Sequence, residues 1–180
     1  PHTTDVALTD LPEPEIRGAD EIKIKVLSVG ICGTDREEVS GGRADAPIGK
    51  ERLVIGHEMF GQVVEIGEAV VKAKVGDYGV FMVRRGCGEC AACKNNRSDM
   101  CYTGKYTERG IKEADGFQSQ FVVDSEQYFV KVPGAIREIG VLTEPMSVAA
   151  KAIHEALIIQ SARLKNFDEN KNWLNGKRVL

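Results

Sequence analysis

Two sets of residues in this chain can bind metal, and they differ in spacing. Cys87, Cys90, Cys93 and Cys101 stand in the run RRGCGECAACKNNRSDMC, with spacing C-x2-C-x2-C-x7-C. Thiolates that converge on one point hold zinc tetrahedrally, and short Cys-x2-Cys steps let the backbone bring them together. Four sulfur ligands leave no position for a substrate, so a zinc here is structural. A disulfide pair is the alternative in an oxidising compartment. An iron–sulfur cluster is a third reading, although the ferredoxin run has a shorter last spacer and ends in Cys-Pro. The second set is dispersed. Cys32 lies in Val29-Gly30-Ile31-Cys32-Gly33-Thr34-Asp35, followed later by Gly56-His57-Glu58 and Thr143-Glu144-Pro145. A catalytic zinc takes about three protein ligands of mixed type and keeps one position open. Cys32, His57 and Glu58 supply such a set, with Glu144 as a fourth ligand or as the group that holds a water there. Each has an ordinary reading too. A cysteine after a strand is commonly a small core residue, and the chain has three histidines, any of which can be structural. His57 and Glu58 would point to opposite faces of a regular strand. Both reach one metal only if the backbone turns, which Gly56 allows.

These residues need a frame. Residues 21–29 (EIKIKVLSV) alternate apolar and charged side chains, the period of a half-buried strand. Residues 60–66 and 78–83 read as strands separated by the turn-like Val75-Gly76-Asp77, and 117–123 and 128–132 as another pair closed by Pro133-Gly134. Several short strands with frequent glycines suggest an antiparallel, barrel-like β domain. Residues 41–50 read as a loop. A helix opens at Glu144-Pro145, where proline is tolerated in the first turn. Val148, Ala149, Ala152, Ile153, Ala156 and Leu157 follow at helical spacing as one apolar face. His154 sits in that helix and reads as structural. Residues 161–175 are polar and read as a linker.

The bounds are modest. With 180 residues, 42% of them hydrophobic, the chain makes one domain or one domain and part of another. No apolar stretch is long enough to span a membrane. A net charge of −3 with scattered Lys and Arg argues against a nucleic-acid partner. Five cysteines without a secretory signal suggest a reducing, cytoplasmic setting. The chain begins at Pro1 rather than Met and stops at Gly176-Lys177-Arg178-Val179-Leu180, which reads as a loop entering an apolar strand. Both ends are expected to continue into a longer protein.

As an ordered set, Gly30-Ile31-Cys32-Gly33-Thr34-Asp35, Gly56-His57-Glu58, the four-cysteine lobe and Glu144-Pro145 make the chain resemble the zinc-dependent medium-chain alcohol and polyol dehydrogenases. The runs Cys32-Gly33-Thr34-Asp35-Arg36-Glu37 and Arg84-Arg85-Gly86-Cys87-Gly88, with Thr103-Gly104, Glu108 and Gly110, make it most similar to the microbial glucose (aldose) 1-dehydrogenases. The resemblance implies a mainly β, GroES-like catalytic domain over residues 1–145 with its zinc lobe at 84–104. A helix and linker would follow over 146–175, and the first strand of a Rossmann domain would start at 176–180. No G-x-G-x-x-G occurs in the chain, so the phosphate-cradling turn is expected in that further domain.

The resemblance also implies roles. Cys32, His57 and Glu58 would hold the catalytic zinc, with Glu144 at the fourth or water-mediated position. Cys87, Cys90, Cys93 and Cys101 would hold the structural one. Zinc would act as Lewis acid on the substrate hydroxyl, and NAD or NADP would take the hydride. Thr34 would relay the proton and touch substrate. Asp35 would accept the other ring N–H of His57. Glu108 would bind sugar hydroxyls and Glu144 would also face the substrate. The Arg84-Arg85 pair would anchor the zinc lobe or face solvent. Where the glucose enzymes can carry an asparagine before this pair, Val83 stands here, which leaves the choice of sugar open. The expected protein is a cytoplasmic sugar dehydrogenase, homo-oligomeric when intact, with a monomeric fragment here. Polyol, threonine or simple alcohol oxidation is the alternative within the family. A non-catalytic, zinc-stabilised binding module is the alternative outside it.

Overall fold

A computed structural model describes residues 2–164. The expected strand at 176–180 and most of the expected linker lie outside the described residues. The chain divides into two units, Pro1–Glu144 and Pro145–Leu180.

The first unit is built on strand β1 (Glu21–Val29), whose alternating Ile22 and Ile24 are fully buried. β1 pairs antiparallel with β2 (Met59–Ile66), and β2 pairs with β3 (Tyr78–Phe81). Two register shifts against β2, at Lys23/Ile24 and Val26/Ser28, bend β1. A two-residue strand β4 (Arg84–Arg85) follows, then β5 (Thr107–Arg109) and β6 (Glu113–Ala114). β7 (Phe121–Ser125) and β8 (Phe129–Lys131) complete the larger sheet, in the order β7-β1-β2-β3-β8. The backbone hydrogen bonds leave β7 and β8 as edges, so the barrel expected from the sequence does not close through them. β4, β5 and β6 form a separate small sheet, with β5 and β6 parallel.

The core is one cluster of buried residues from β1, β2, β3 and β7, joined by Ala73, Phe117 and Val132. Phe81 sits at its centre, stacked on Phe117 with centroids 6.2 Å apart and edge-on to Phe129 at 6.1 Å. Phe117 was expected to begin a strand. It is fully buried but lies in a turn-rich approach, and pairing begins only at Phe121. Residues 78–83 likewise split, because the chain bends between Phe81 and Arg84. Glu126 closes the far end: burial alone would raise its carboxyl, but backbone N–H groups of Ala73, Val71 and Lys72 hold it below the usual carboxylate range.

Among the described residues, three α-helices accompany the sheets. α1 (Gly33–Val39) and α2 (Ala91–Lys94) are short and had no period long enough to announce them. α3 (Thr143–Arg163) starts one residue before the expected Glu144 and runs three residues into the expected linker. No residue of α3 is buried, and Val148, Ile153 and His154 are exposed. Among the described residues, no helix is long and apolar enough to cross a membrane.

Candidate metal centres and active site

The four lobe cysteines converge. Their sulfurs all lie within 4.8 Å of one another, with Cys87 Sγ 3.9 Å from Cys93 Sγ and Cys90 Sγ 4.0 Å from Cys101 Sγ. A disulfide needs about 2.05 Å, whereas two ligands of a tetrahedral zinc at a Zn–S bond of about 2.3 Å stand about 3.8 Å apart. All five cysteines are free. Local backbone fixes the geometry: Cys90 caps α2, its sulfur accepting from the Cys93 N–H, while the Cys90 N–H donates to Cys87 Sγ. The Thr103 hydroxyl beside Cys101 and nearby backbone N–H groups pull that thiol down to about 6, and burial pushes Cys93 up to about 11. The donor set fits a structural zinc.

Arg84 ties this lobe to the small sheet. Its guanidinium donates to the Asp99 carbonyl at 3.2 Å and to Glu108 Oε1 at 2.7 Å, and it lies over the Tyr106 ring. Arg85 turns the other way, to Asp124 at 2.6 Å and over Tyr128. Of the pair, only Arg84 holds a backbone group within the cysteine lobe, while Arg85 ties β4 to β7. Glu108, expected as a sugar ligand, is buried in β5 with Arg84 on one oxygen and Arg43 3.6 Å from the other.

The dispersed set is brought together only in part. Cys32 is the N-cap of α1 in a reciprocal cap: Thr34 N–H donates to Cys32 Sγ, and Cys32 N–H donates to Asp35 Oδ2 at 2.7 Å. This cap holds Cys32 Sγ 3.0 Å from His57 Nε2. Asp35 Oδ1 lies 3.8 Å from the opposite ring nitrogen, Nδ1, and neither atom has a hydrogen-bond partner among the described residues. Asp35 therefore sits where a carboxylate orients a ligating histidine. One of its oxygens completes a 4.8 Å cluster with Cys32 and His57. Since Asp35 Oδ2 is taken by Cys32 N–H and Oδ1 faces Nδ1, the pair left to share a metal is Cys32 Sγ and His57 Nε2. Sulfur and imidazole nitrogen are the donors zinc prefers.

Glu58 is buried but stands outside that cluster, over Gly30, where an added Cβ would meet Glu58 Oε2 at 1.9 Å. Glu144 is outside it too. Its carboxyl is raised by burial and by Glu58 and Asp35, against a lowering by His57, so it shares their electrostatic surroundings. The turn expected at Gly56 is present, at φ +94°. A side chain there would strike Gln118, and one at Gly110 would stand 2.2 Å from the Gly56 carbonyl oxygen. Only glycines let these backbones meet behind His57.

An open cavity of about 580 Å³ lies against Cys32, lined by Ile31, Gly33, Asp35, Arg36, Val39, Ile55 and Gln118. Residues 18–134 match the family model described as the alcohol dehydrogenase GroES-like domain. The chain belongs to that family. This GroES-like chain is 40% identical over 152 residues to glucose 1-dehydrogenase of Methanocella arvoryzae, covering 84% of itself and 42% of that protein. It is 38% identical over 161 residues to glucose 1-dehydrogenase 2 of Saccharolobus solfataricus, covering 88% and 43%. Among solved structures, it is similar to Haloferax mediterranei glucose dehydrogenase in complex with NADP, Zn and gluconolactone, at 36% identity and TM-score 0.77, covering 86% of this chain and 43% of that one. It is also similar to galactitol-1-phosphate dehydrogenase of Escherichia coli, at 26% identity and TM-score 0.75. The chain spans less than half the length of these relatives.

In this GroES-like domain one ionisable group stands out that the sequence did not announce. Glu38 lies three residues after Asp35 on α1, buried, with neither carboxylate oxygen hydrogen-bonded among the described residues. Burial first, and then the Asp35 charge, raise its carboxyl from 4.5 to about 7, with Arg43 opposing. Between those two pH values the folded state binds more protons than the unfolded state. The Glu38 contribution to stability is therefore full below about 4.5 and is lost as pH rises through about 7. Glu38→Gln is expected to stabilise the protein by about 3 kcal/mol at pH 8 and by almost nothing at pH 4.5. Urea melts across that range check this, and parallel pH profiles for both proteins would contradict it.

Proposed function

We propose that the intact protein is a zinc-dependent oxidoreductase that transfers hydride from the C1 carbon of an aldose to NAD or NADP, while the C1 hydroxyl gives up its proton. The observation that carries this reading is the 3.0 Å approach of Cys32 Sγ to His57 Nε2 beside an open cavity, apart from the four-thiolate lobe. A structural protein needs the lobe but has no use for a second sulfur–imidazole pair at a cavity wall. In this reading Cys32 and His57 hold the catalytic zinc, with Glu58 and Glu144 as further ligands or supports. Zinc bound there would supply Lewis-acid polarisation of the substrate hydroxyl, and a bound nicotinamide would supply the hydride acceptor.

The chain's own residues do the rest. Asp35 holds the His57 ring so that Nε2 faces Cys32. Thr34, in the first turn of α1 two residues after Cys32, touches substrate and carries the hydroxyl proton towards solvent. Glu108 offers carboxylate oxygens for sugar hydroxyls, in competition with Arg84 and Arg43. The lobe cysteines Cys87, Cys90, Cys93 and Cys101 bind the structural zinc and, as thiolates, suit a cytoplasmic protein. The intact enzyme is a homo-oligomer, while the present chain is monomeric.

A polyol is the second reading, favoured by the similarity to galactitol-1-phosphate dehydrogenase and by the absence of an amide at Val83. Steady-state rates of the intact protein with a panel of aldoses, polyols and short alcohols, each with NAD and NADP, test both. The aldose reading predicts the highest kcat/KM on an aldose. A polyol that outcompetes every aldose replaces it with the second reading, and no turnover on any of them overturns both.

A further inference from the structure

Of the residues that line the cavity beside Cys32, Gln118 offers a neutral amide, and nothing in its sequence context marks it as functional. Its side chain has no hydrogen-bond partner among the described residues, although the residue is half-buried. Its place is nevertheless fixed. The backbone of residues 116–118 runs beside 54–56, with Gly116 N–H on the Val54 carbonyl, Phe117 N–H on the Gly56 carbonyl at 2.9 Å and Gln118 N–H on the Ile55 carbonyl at 3.1 Å. The same short ladder carries His57 at its end. The Gln118 side chain fills the space left by Gly56, its Cγ 2.4 Å from where a Cβ would stand. Ile31, Val39 and Ile55 make much of the remaining wall apolar. A pocket of this kind takes its orientation of a ligand from the few polar groups it presents.

We infer that Gln118 is a specificity residue of this cavity: its amide hydrogen-bonds a substrate hydroxyl next to the carbon being oxidised. The inference rests on the sugar dehydrogenase reading above and adds a residue to it. An amide both donates and accepts, so it can serve a hydroxyl in either sense. Its position on the ladder that carries His57 sets the distance between that hydroxyl and the reacting carbon. The substrate class selected is one with adjacent hydroxyls, an aldose or a polyol.

The test is a cycle on the intact protein that combines Gln118→Leu with deoxy analogues of its best sugar. Gln118→Met is the second variant should the branched side chain disturb Gly56, and zinc content checks that either one is folded. Loss of one neutral hydrogen bond is expected to lower kcat/KM on the parent sugar about tenfold. On one deoxy sugar, the one that lacks the contacted hydroxyl, the substitution is expected to cost nothing further. Equal losses on the parent and on every deoxy sugar, or no loss at all, would overturn the assignment while leaving the dehydrogenase reading intact. A wild-type protein that turns over no aldose or polyol would overturn the dehydrogenase reading itself, and the assignment with it.

Discussion

Cys32→Ser is expected to lower kcat/KM of the intact protein by on the order of 10³-fold. Lewis-acid stabilisation by a bound metal supplies several kcal/mol of transition-state stabilisation, and each 1.36 kcal/mol is a factor of ten in rate. Serine keeps the size and the N-cap of α1, since a hydroxyl oxygen also accepts the Thr34 N–H. What it removes is the soft thiolate ligand that zinc prefers. The loss is therefore expected in activity rather than in folding, and the melting temperature stays within a few degrees of wild type. Steady-state kinetics and a thermal melt on the same preparation separate the two. Activity within tenfold of wild type would show that Cys32 binds no catalytic metal.

The second large effect is expected at the lobe. Cys90→Ser removes a buried sulfur that is a candidate ligand, while the serine hydroxyl keeps the cap of α2. The lobe has little else to hold it. α2 has four residues, the 3₁₀ turn Ser98–Met100 has three, and neither buries a residue. A structural zinc contributes about 10–16 kcal/mol to the folding of small metal-dependent units, so a site reduced to three sulfurs forfeits much of what orders residues 86–101. The expected result is one zinc fewer per chain and rapid proteolytic cleavage within 84–104. Stability falls by about 3–5 kcal/mol, since Arg84 loses the Asp99 carbonyl it holds. Limited proteolysis with metal analysis reads this out. A variant as resistant to protease as wild type would show that packing, not metal, holds the lobe.

Much of the site was legible because its chemistry is local. The spacing of Cys87, Cys90, Cys93 and Cys101 specifies a convergent cluster whatever surrounds it, and the structure forms one. Strand β1 was legible because Ile22 and Ile24 sit at the period of a pleated strand with one face buried. Other features depend on contacts far apart in sequence. Nothing local says that Phe117 is core without being strand, because its burial comes from Phe81, 36 positions earlier. α1 was missed because seven residues opened by Cys32 carry no full apolar period, and its signal is the reciprocal cap of Cys32 and Asp35. With α1 unseen, the i, i+3 pair Asp35 and Glu38 was invisible too. Gln118 had no signal at all, since its position depends on the meeting of 54–56 with 116–118. Glu58 was grouped with His57 by adjacency, yet its side chain turns over Gly30 instead of joining Cys32.

Cys32 and His57 are proposed to hold a metal separate from the thiolate lobe. The most direct test is the zinc content of the intact protein and of Cys32→Ser, by elemental analysis of dialysed protein. Two zinc ions per chain are expected, falling to one in the variant with the lobe's ion retained. One zinc per chain in both proteins would contradict it, leaving a zinc-stabilised β module whose cavity holds no metal.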